Sequence, residues 1–380
     1  ENFKTTSITH GNNIDFKVDW NNLDTVDYKG KIIASTQISQ KKPFDDPSFM
    51  ITILPSKIVV QDSVWQINKS QVKIDTTSLY FNKFKINHGN QSFVVDGKVS
   101  ENPEDTLFFE FKNLNMAHVN IITAKNKLKF DGTINGKANF SRIFNNPLFY
   151  SDLEINNLML NEEAFGYTQI HSRWIEENEA IQVEASTLNN NTRTINVSGN
   201  YYPEKQDIMF NVILNKLELS VLDPYLSSFA SNLSGVTDGS VLVTGKLTKP
   251  EFNGNLYVQN AALTIDYLKT RYNFTSEVSV ENNKLIFPEV NSTDIYGNTA
   301  LTNGFVKFGP KKNINFDFNI NANSVHSLST NGSDNQAFYG SAFMSGIVKI
   351  TGDREYTDID ISGITEKNTR INIPLTKFQG

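Results

Sequence analysis

Apolar and polar residues alternate along most of this chain. The clearest run is Asn313-Ile314-Asn315-Phe316-Asp317-Phe318-Asn319-Ile320-Asn321-Ala322, in which every even position is apolar and every odd one is Asn or Asp. A helix would spread these side chains around its circumference. A strand sorts them onto two faces, one apolar and one polar. The same alternation groups Leu107, Phe109 and Phe111; Phe210, Val212 and Leu214; Val241 and Val243; Leu256 and Val258; and Ile14, Phe16, Val18 and Trp20. Turn sequences such as Glu281-Asn282-Asn283-Lys284 separate the runs. Strands with one polar face are not the doubly covered strands of a parallel sheet. The pattern predicts an all-β chain with a few short helices.

Helical signals are few. Asp223-Pro224-Tyr225-Leu226, then Phe229, Ala230 and Leu233 ahead of Gly235, offers an N-cap, a proline at the first helical position and helical apolar spacing. A second candidate runs from about Ala117 to Ala124.

The chain repeats itself at long range. Gly132, Gly136, Pro147 and Phe149 recur 103 positions later as Gly235, Gly239, Pro250 and Phe252. Gly97, Gly199 and Gly304 follow one another 102 and 105 positions apart, and a partial copy continues through Gly340 and Gly346. With a mean strand of about 5–6 residues, each period predicts roughly seven to nine short strands and a short helix. The divisions fall at 1–96 (a partial repeat), 97–198, 199–303 and 304–380. Repeats joined in series predict one elongated, twisted sheet rather than compact domains. The Gly132/Gly136 and Gly235/Gly239 pairs lie in polar strand sequence. They read as tight turns or close strand contacts, not as membrane-helix motifs.

Composition narrows the chemistry. The 380 residues include no cysteine, which excludes disulfides, thiolate zinc sites and cysteine nucleophiles. A net charge of −6 has the wrong sign for a nucleic-acid partner. Asparagine, at 48 residues, supplies turns. No apolar run approaches the ~18 residues of a transmembrane helix. The chain starts at Glu1 without a signal peptide and stops without a tail, so it reads as a piece of something longer.

The five histidines, His10, His88, His118, His171 and His326, have no metal-ligand spacing, and each reads as a surface or turn histidine. No nucleophile elbow, P-loop or dinucleotide fingerprint is present. Asp45-Asp46 and Glu176-Glu177 read as solvated turns, and Asp353, Asp358 and Asp360 lack EF-hand spacing. No catalytic residue, metal, cofactor or enzymatic activity is expected. The apolar face itself remains. It is either the inner face of an ordinary sandwich core, the commoner arrangement, or a groove that holds something apolar.

Residues 338 to 375 carry a resemblance. Phe338-Tyr339-Gly340-Ser341-Ala342 leads into Gly346-Ile347-Val348-Lys349-Ile350-Thr351-Gly352, and Ile359-Asp360-Ile361 precedes Thr365 to Thr369 and Arg370-Ile371-Asn372-Ile373-Pro374-Leu375. This resembles the start of the C-terminal region of TamB proteins, the translocation and assembly module family of Gram-negative envelopes. Gly245-Lys246-Leu247-Thr248-Lys249-Pro250-Glu251-Phe252-Asn253-Gly254-Asn255-Leu256 is similar to that family's recurrent repeat element, and Trp65 to Gly97 looks like its asparagine-rich branch.

The resemblance covers most of the chain, and residues 304–380 would begin the family's C-terminal domain. It implies a repeat-built sheet curled into a taco-like groove with an apolar interior, as in AsmA-like and bridge-like lipid transfer proteins. It implies a periplasmic location, an inner-membrane helix missing from this stretch, and a C-terminal end docking on a BamA-like outer-membrane barrel. Two roles come with it: carrying phospholipid between membranes, or helping outer-membrane or autotransporter proteins assemble. On the first, the groove is lined by Leu107, Phe109, Phe111, Phe210, Val212, Leu214, Val241, Val243, Leu256, Val258, Ile314, Phe316, Phe318 and Ile320, and acyl chains are the ligand.

Overall fold

The structure is a computed structural model. It describes residues 2–22, 28–40, 46–60, 62–120, 129–142, 148–226, 229–309, 314–353 and 355–374. Asp45, Pro147, Asn313, Leu375 and the stretch 121–124 of the second helix candidate lie outside them. The chain is all-β, and every strand pairing given for the described residues is antiparallel.

The fold divides into two compact units, residues 1–191 with 200–203, and residues 192–199 with 204–380. The first contains β1 (Asn2–His10), β2 (Asn13–Asn21), β3 (Lys29–Ser39), β4 (Ser48–Ile53), β5 (Ser56–Val60), β6 (Ser63–Ile67), β7 (Ser70–Ile74), β8 (Ser78–His88), β9 (Gln91–Ser100), β10 (Thr106–Asn115), β11 (Phe130–Ser141), β12 (Leu148–Leu160), β13 (Glu163–Ile175) and β14 (Ala180–Asn189). Residues of β15 (Thr192–Tyr202) fall in both units. The second contains β16 (Asp207–Glu218), β17 (Ala230–Lys246), β18 (Lys249–Ile265), β19 (Thr270–Glu281), β20 (Lys284–Asp294), β21 (Thr299–Phe308), β22 (Ile314–Thr330), β23 (Tyr339–Asp353), β24 (Thr357–Thr365) and β25 (Arg370–Asn372).

Each unit is a meander in which a strand pairs with its sequence neighbours. In the first, β4 and β5 are halves of one strand against β3, interrupted at Leu54-Pro55. Proline has no N–H to give the ladder there. β6 and β7 are likewise halves of the next strand and meet β8 together. The expected seven to nine short strands per period become six long ones, β10–β15 and then β16–β21. They run from 10 residues in β10 to 17 in β17. Two-residue turns join many of them. Asn190-Asn191 (φ 48° and 62°) and Asn282-Asn283 (φ 49° and 67°) have the positive φ pairs of tight hairpins, which asparagine tolerates.

Most long strands also carry a bulge. Register shifts lie at Lys83 in β8, Asn113 in β10, Asn157 in β12, Lys216 in β16, Asn260 in β18 and Ser324 in β22, each with positive φ. A bulge bends its strand and takes an N–H out of the ladder. Side-chain oxygens on the adjoining strand accept five of these N–H groups: Lys83 donates to Asp96 Oδ1 (3.0 Å), Asn113 to Asn135 Oδ1 (2.8 Å), Lys216 to Asp238 Oδ1 (3.0 Å), Asn260 to Thr275 Oγ1 (3.0 Å) and Ser324 to Ser345 Oγ (2.9 Å). The repeat is built on this device. Asn113 with Asn135 and Lys216 with Asp238 are the same pair 103 residues apart, as are the Asn157 and Asn260 bulges.

The bends curl the second unit strongly. Phe229 sits just before β17, while Phe316 shares a cross-strand row with Val241, eleven residues into β17 and five strands away. On a flat sheet that path would span about 45 Å. The two rings are 6.4 Å apart. The sheet therefore folds back over one of its own faces.

The helix expected from Asp223 to Leu233 is much shorter. A 3₁₀ turn, Leu219–Leu222, runs into a single α-helical turn, Asp223–Leu226, and Ala230 already pairs with Ile265 in the sheet. Asp223 is not an N-cap. Its Oδ1 accepts the N–H of Leu233, at 2.9 Å, and steadies the start of β17 instead. Leu226 and Leu233 satisfied a helical spacing because both reach one apolar cluster, Leu233 from a strand. The second candidate is a 3₁₀ turn, Met116–Val119, opened by Asn115 Oδ1 accepting from the N–H of Ala117 at 2.8 Å. Met116 and Leu219, 103 residues apart, are both buried.

The bulge caps carry a prediction. Asn135→Ala leaves the half-buried Asn113 N–H without its acceptor and lowers stability by about 1–2 kcal/mol in urea unfolding, whereas Asp358→Ala on exposed β24 changes it by less than about 0.5 kcal/mol. Equal, small effects for the two would mean that the cap contributes nothing.

Candidate functional site

Cross-strand partners in a ladder share a face, so the register shows which side chains line the concave side. In the second unit one row runs Val212–Val241–Gly254–Val280–Leu285–Val306–Phe316 across seven strands. Beside it lie Phe210–Val243–Phe252, Leu214–Gly239–Leu256–Val278, Thr237–Val258–Ser276, Phe308–Ile314, Phe287–Gly304–Phe318–Ile350–Ile359 and Thr302–Ile320–Val348–Ile361. All eleven lining candidates of this unit thus fall on one face, the face closed over by Phe229 and Phe316.

In the first unit Leu107, Phe109 and Phe111 share a face with Phe81, Val95 and Phe93 on one side, and with Phe140 and Ala138 on the other. Its rings form a ladder: Phe111 to Phe93 at 5.3 Å, Phe93 to Phe109 at 6.2 Å, Phe109 to Phe140 at 5.7 Å and Phe140 to Phe149 at 4.6 Å. The two faces differ sharply in exposure: Leu107 is 8% exposed and its neighbour Phe108 is 53%. Of the fourteen candidates, Leu107 and Val258 are buried and the other twelve are partly buried. The outer face is not purely polar, since Phe108, Met209, Ile213, Leu242 and Tyr257 stand exposed on it.

Glycine shapes the concave side. Gly304 lies between Phe287 and Phe318, whose rings close to 5.9 Å over it. A Cβ there would fall 2.5 Å from Phe318 Cδ1 and 2.2 Å from the Asp317 carbonyl. Removing one inward side chain lets the flanking rings lean together, which tightens the curl.

Part of the face is covered. Leu219 and Leu226 pack onto Leu233, Val258, Ala261 and Val278, with Leu256, Phe274, Leu285 and Phe287 around them. Over β17–β20 the apolar floor is therefore roofed by the short helical crossing. In the first unit Val95, Val99 and Leu107 form a cluster with Leu79, Phe81, Phe84, Phe93 and Phe109.

Many lining residues lie outside the fourteen candidates, among them Phe81, Phe84, Val278, Val280, Leu285, Phe287 and Val306. Phe81 and Phe84 are three apart because the Lys83 bulge lies between them. Val278 and Val280 keep the two-residue spacing and were legible.

His326 departs from the expectation of a surface or turn histidine: it is 3% exposed, inside β22. Its ring stacks on Phe343 at 4.7 Å and meets the edge of Tyr296 at 5.2 Å, and its Nε2 lies 3.0 Å from Ser341 Oγ. Its N–H donates to Asp294 Oδ2 at 2.8 Å, and its carbonyl accepts from Tyr272 Oη at 2.9 Å. Asp294 also accepts the N–H groups of Tyr296 and Asn298 and the side-chain amide of Asn298. Where β22 outruns β21, this corner ties it to β19 and β20, helped by the Ser329 N–H donating to the Leu268 carbonyl at 2.8 Å. Burial pushes the imidazole below its ordinary range against the pull of Asp294. Burial also pushes the Asp294 carboxyl up, but its four hydrogen bonds outweigh that and hold it low.

Among the other histidines, His118 packs edge-on against Trp65 at 5.1 Å, His88 Nδ1 lies 2.7 Å from the Val64 carbonyl, and His171 pairs with Asp152 at 3.1 Å. Asp353 accepts the N–H groups of Glu355 and Tyr356 at a turn. Among the described residues no three His, Cys, Asp or Glu side chains are placed to hold a metal, and no helix is long and apolar enough to cross a membrane.

The fold and site define an all-β, antiparallel chain whose second unit carries an apolar concave face. Comparison with protein-family models, with curated proteins and with solved structures finds no match.

The buried corner gives a pH prediction. A histidine whose folded pKa is lowered contributes fully above its unfolded value of about 6.5 and loses that contribution as pH falls through it; Asp294 adds a further loss only below about pH 4. The urea midpoint therefore drops between pH 7.5 and 5.5, and drops less in His326→Gln. Identical slopes would mean that the buried imidazole does not set acid stability.

Proposed function

We propose that this chain holds phospholipid acyl chains on its curled apolar face and carries them between the inner and outer membranes of a Gram-negative envelope. The observation that supports this most is the row from Val212 to Phe316, apolar or glycine at every step across seven strands, on the concave side of the sheet. The resemblance of residues 338–375 to the TamB family points the same way and supplies the compartment and the outer-membrane barrel partner.

The physics is a transfer problem. Each CH₂ exposed to water costs about 0.8 kcal/mol, so a phospholipid with some 30 methylenes faces on the order of 20 kcal/mol in crossing an aqueous gap. A floor of Phe, Val, Leu and Ile side chains removes most of that cost while the head group stays in water. The lining residues bind and exclude water; no bond is made or broken. The groove does not itself set the direction of movement.

A second reading, assembly of outer-membrane or autotransporter proteins with a BamA-like barrel, is favoured by β24. All nine of its residues are exposed, Ile359 and Ile361 lie on its apolar side, and among the described residues it pairs only with β23. Such an edge can take on another strand, whether a later strand of the same polypeptide or one from a partner. The ligand separates the readings, acyl chain in one and peptide in the other.

Phe316→Asp and Val243→Asp each place a charge on the floor. Uptake of a fluorescent phospholipid from vesicles is expected to fall at least about tenfold while the β-sheet circular dichroism is kept, since an unpaired carboxylate resists burial beside acyl chains. If both variants unfold, the face is a closed core; if both load lipid normally, the ligand lies elsewhere.

A further inference from the structure

We propose that the contact between Phe229 and Phe316 is a reversible closure of the second unit's groove, which an acyl chain must part in order to enter. The inference rests on the lipid-carrying reading above and adds how access to that site is controlled.

The two rings come from opposite ends of the strands. Phe229 stands where β17 begins, β18 ends and β19 begins; the N–H of Asp266, just past β18, donates to its carbonyl at 3.0 Å. Phe316 stands near the start of β22, on the row that passes through the far part of β17. No ladder hydrogen bond joins the two positions. Their 6.4 Å approach, tilted by 36°, spans the concave side from rim to rim.

Both backbone bonds of Phe229 go to its own rim: its N–H donates to the Leu226 carbonyl at 3.0 Å and its carbonyl accepts from Asp266. Phe229 as a residue is 39% exposed, so core packing does not lock it. Across the mouth, the described contact is therefore ring against ring. An acyl chain offers each ring an apolar surface of the same kind, so ring-to-chain contact can replace ring-to-ring contact with little loss. Just inward, Leu219 and Leu226 lie on Val258 and Val278, on the floor where a chain would lie. Entry at the Phe229–Phe316 mouth therefore calls for the rings to separate before the floor is reached.

The absence of cysteine allows a direct test. In Phe229→Cys/Phe316→Cys the two rims are joined by a short bismaleimide with a reducible centre. Vesicles of phosphatidylethanolamine and phosphatidylglycerol carrying a fluorescent phosphatidylethanolamine supply the probe. The unjoined double variant, which lacks both rings, is expected to load several-fold faster than the parent protein, the joined form to load less than a tenth as much as the unjoined form, and reduction of the linker to restore the faster loading.

Phe229→Ala, which alters only a half-exposed ring, keeps the test open if the double variant does not fold; it is expected to load several-fold faster. Normal loading of the joined form, or an unchanged rate in Phe229→Ala, would overturn the closure while leaving lipid carriage standing. A parent protein that takes up no probe would overturn both.

Discussion

A strand that bends sharply gives up a backbone N–H to the bend, and an N–H left without an acceptor costs stability, more where it is half-buried, as at Asn113 and Ser324, than where water reaches it. The sheet described here answers that constraint at bulge after bulge. Asp96, Asn135, Asp238, Thr275 and Ser345 each reach from the adjoining strand to the freed N–H of Lys83, Asn113, Lys216, Asn260 and Ser324. With these donors satisfied, the strands can be long and still bend. In the second unit the bend gives the sheet a concave side, and the apolar residues lie on it. Glycines such as Gly304 deepen it by leaving room for rings from strands on either side to meet.

Much of this was legible in the sequence. Alternation sorted Leu107 from Phe108 and Phe318 from Asp317 because one-sided burial imposes a period of two. The paired glycines 103 residues apart marked the repeat, and they proved to lie inside β11 and β17. There Gly136 and Gly239 have φ of 130° and 144°, and an added Cβ would meet a carbonyl oxygen of the next strand within 2.3 Å. Bulges hid part of the rest. They insert one residue, so Phe81 and Phe84, or Phe111 and Leu114, share a face at a spacing of three. The Asp223 segment misled because proline and aspartate before spaced leucines look alike whether the leucines reach the core from a helix or from a strand. His326 could not be placed from sequence, because its burial depends on β22 outrunning β21 and meeting β19, a contact between strands three apart.

The apolar side is neither a sealed sandwich core nor a bare trough. In the second unit the crossing at Leu219–Leu226 roofs the floor over β17–β20, and the Phe229–Phe316 contact meets over the mouth. Most lining side chains remain partly exposed, which differs from the interior of two sheets packed face to face. Such a surface is suited to an apolar ligand that enters and leaves. A purely structural face would gain stability by being covered completely.

The central claim is that acyl chains occupy this face. Native mass spectrometry of the purified chain, with extraction and identification of any lipid released, tests it most directly. The account predicts phospholipid bound in more than one copy per chain, lost on delipidation and regained from vesicles. A stable, lipid-free monomer that acquires none from vesicles would contradict it, and would mean that the apolar faces serve only to hold the sheet together.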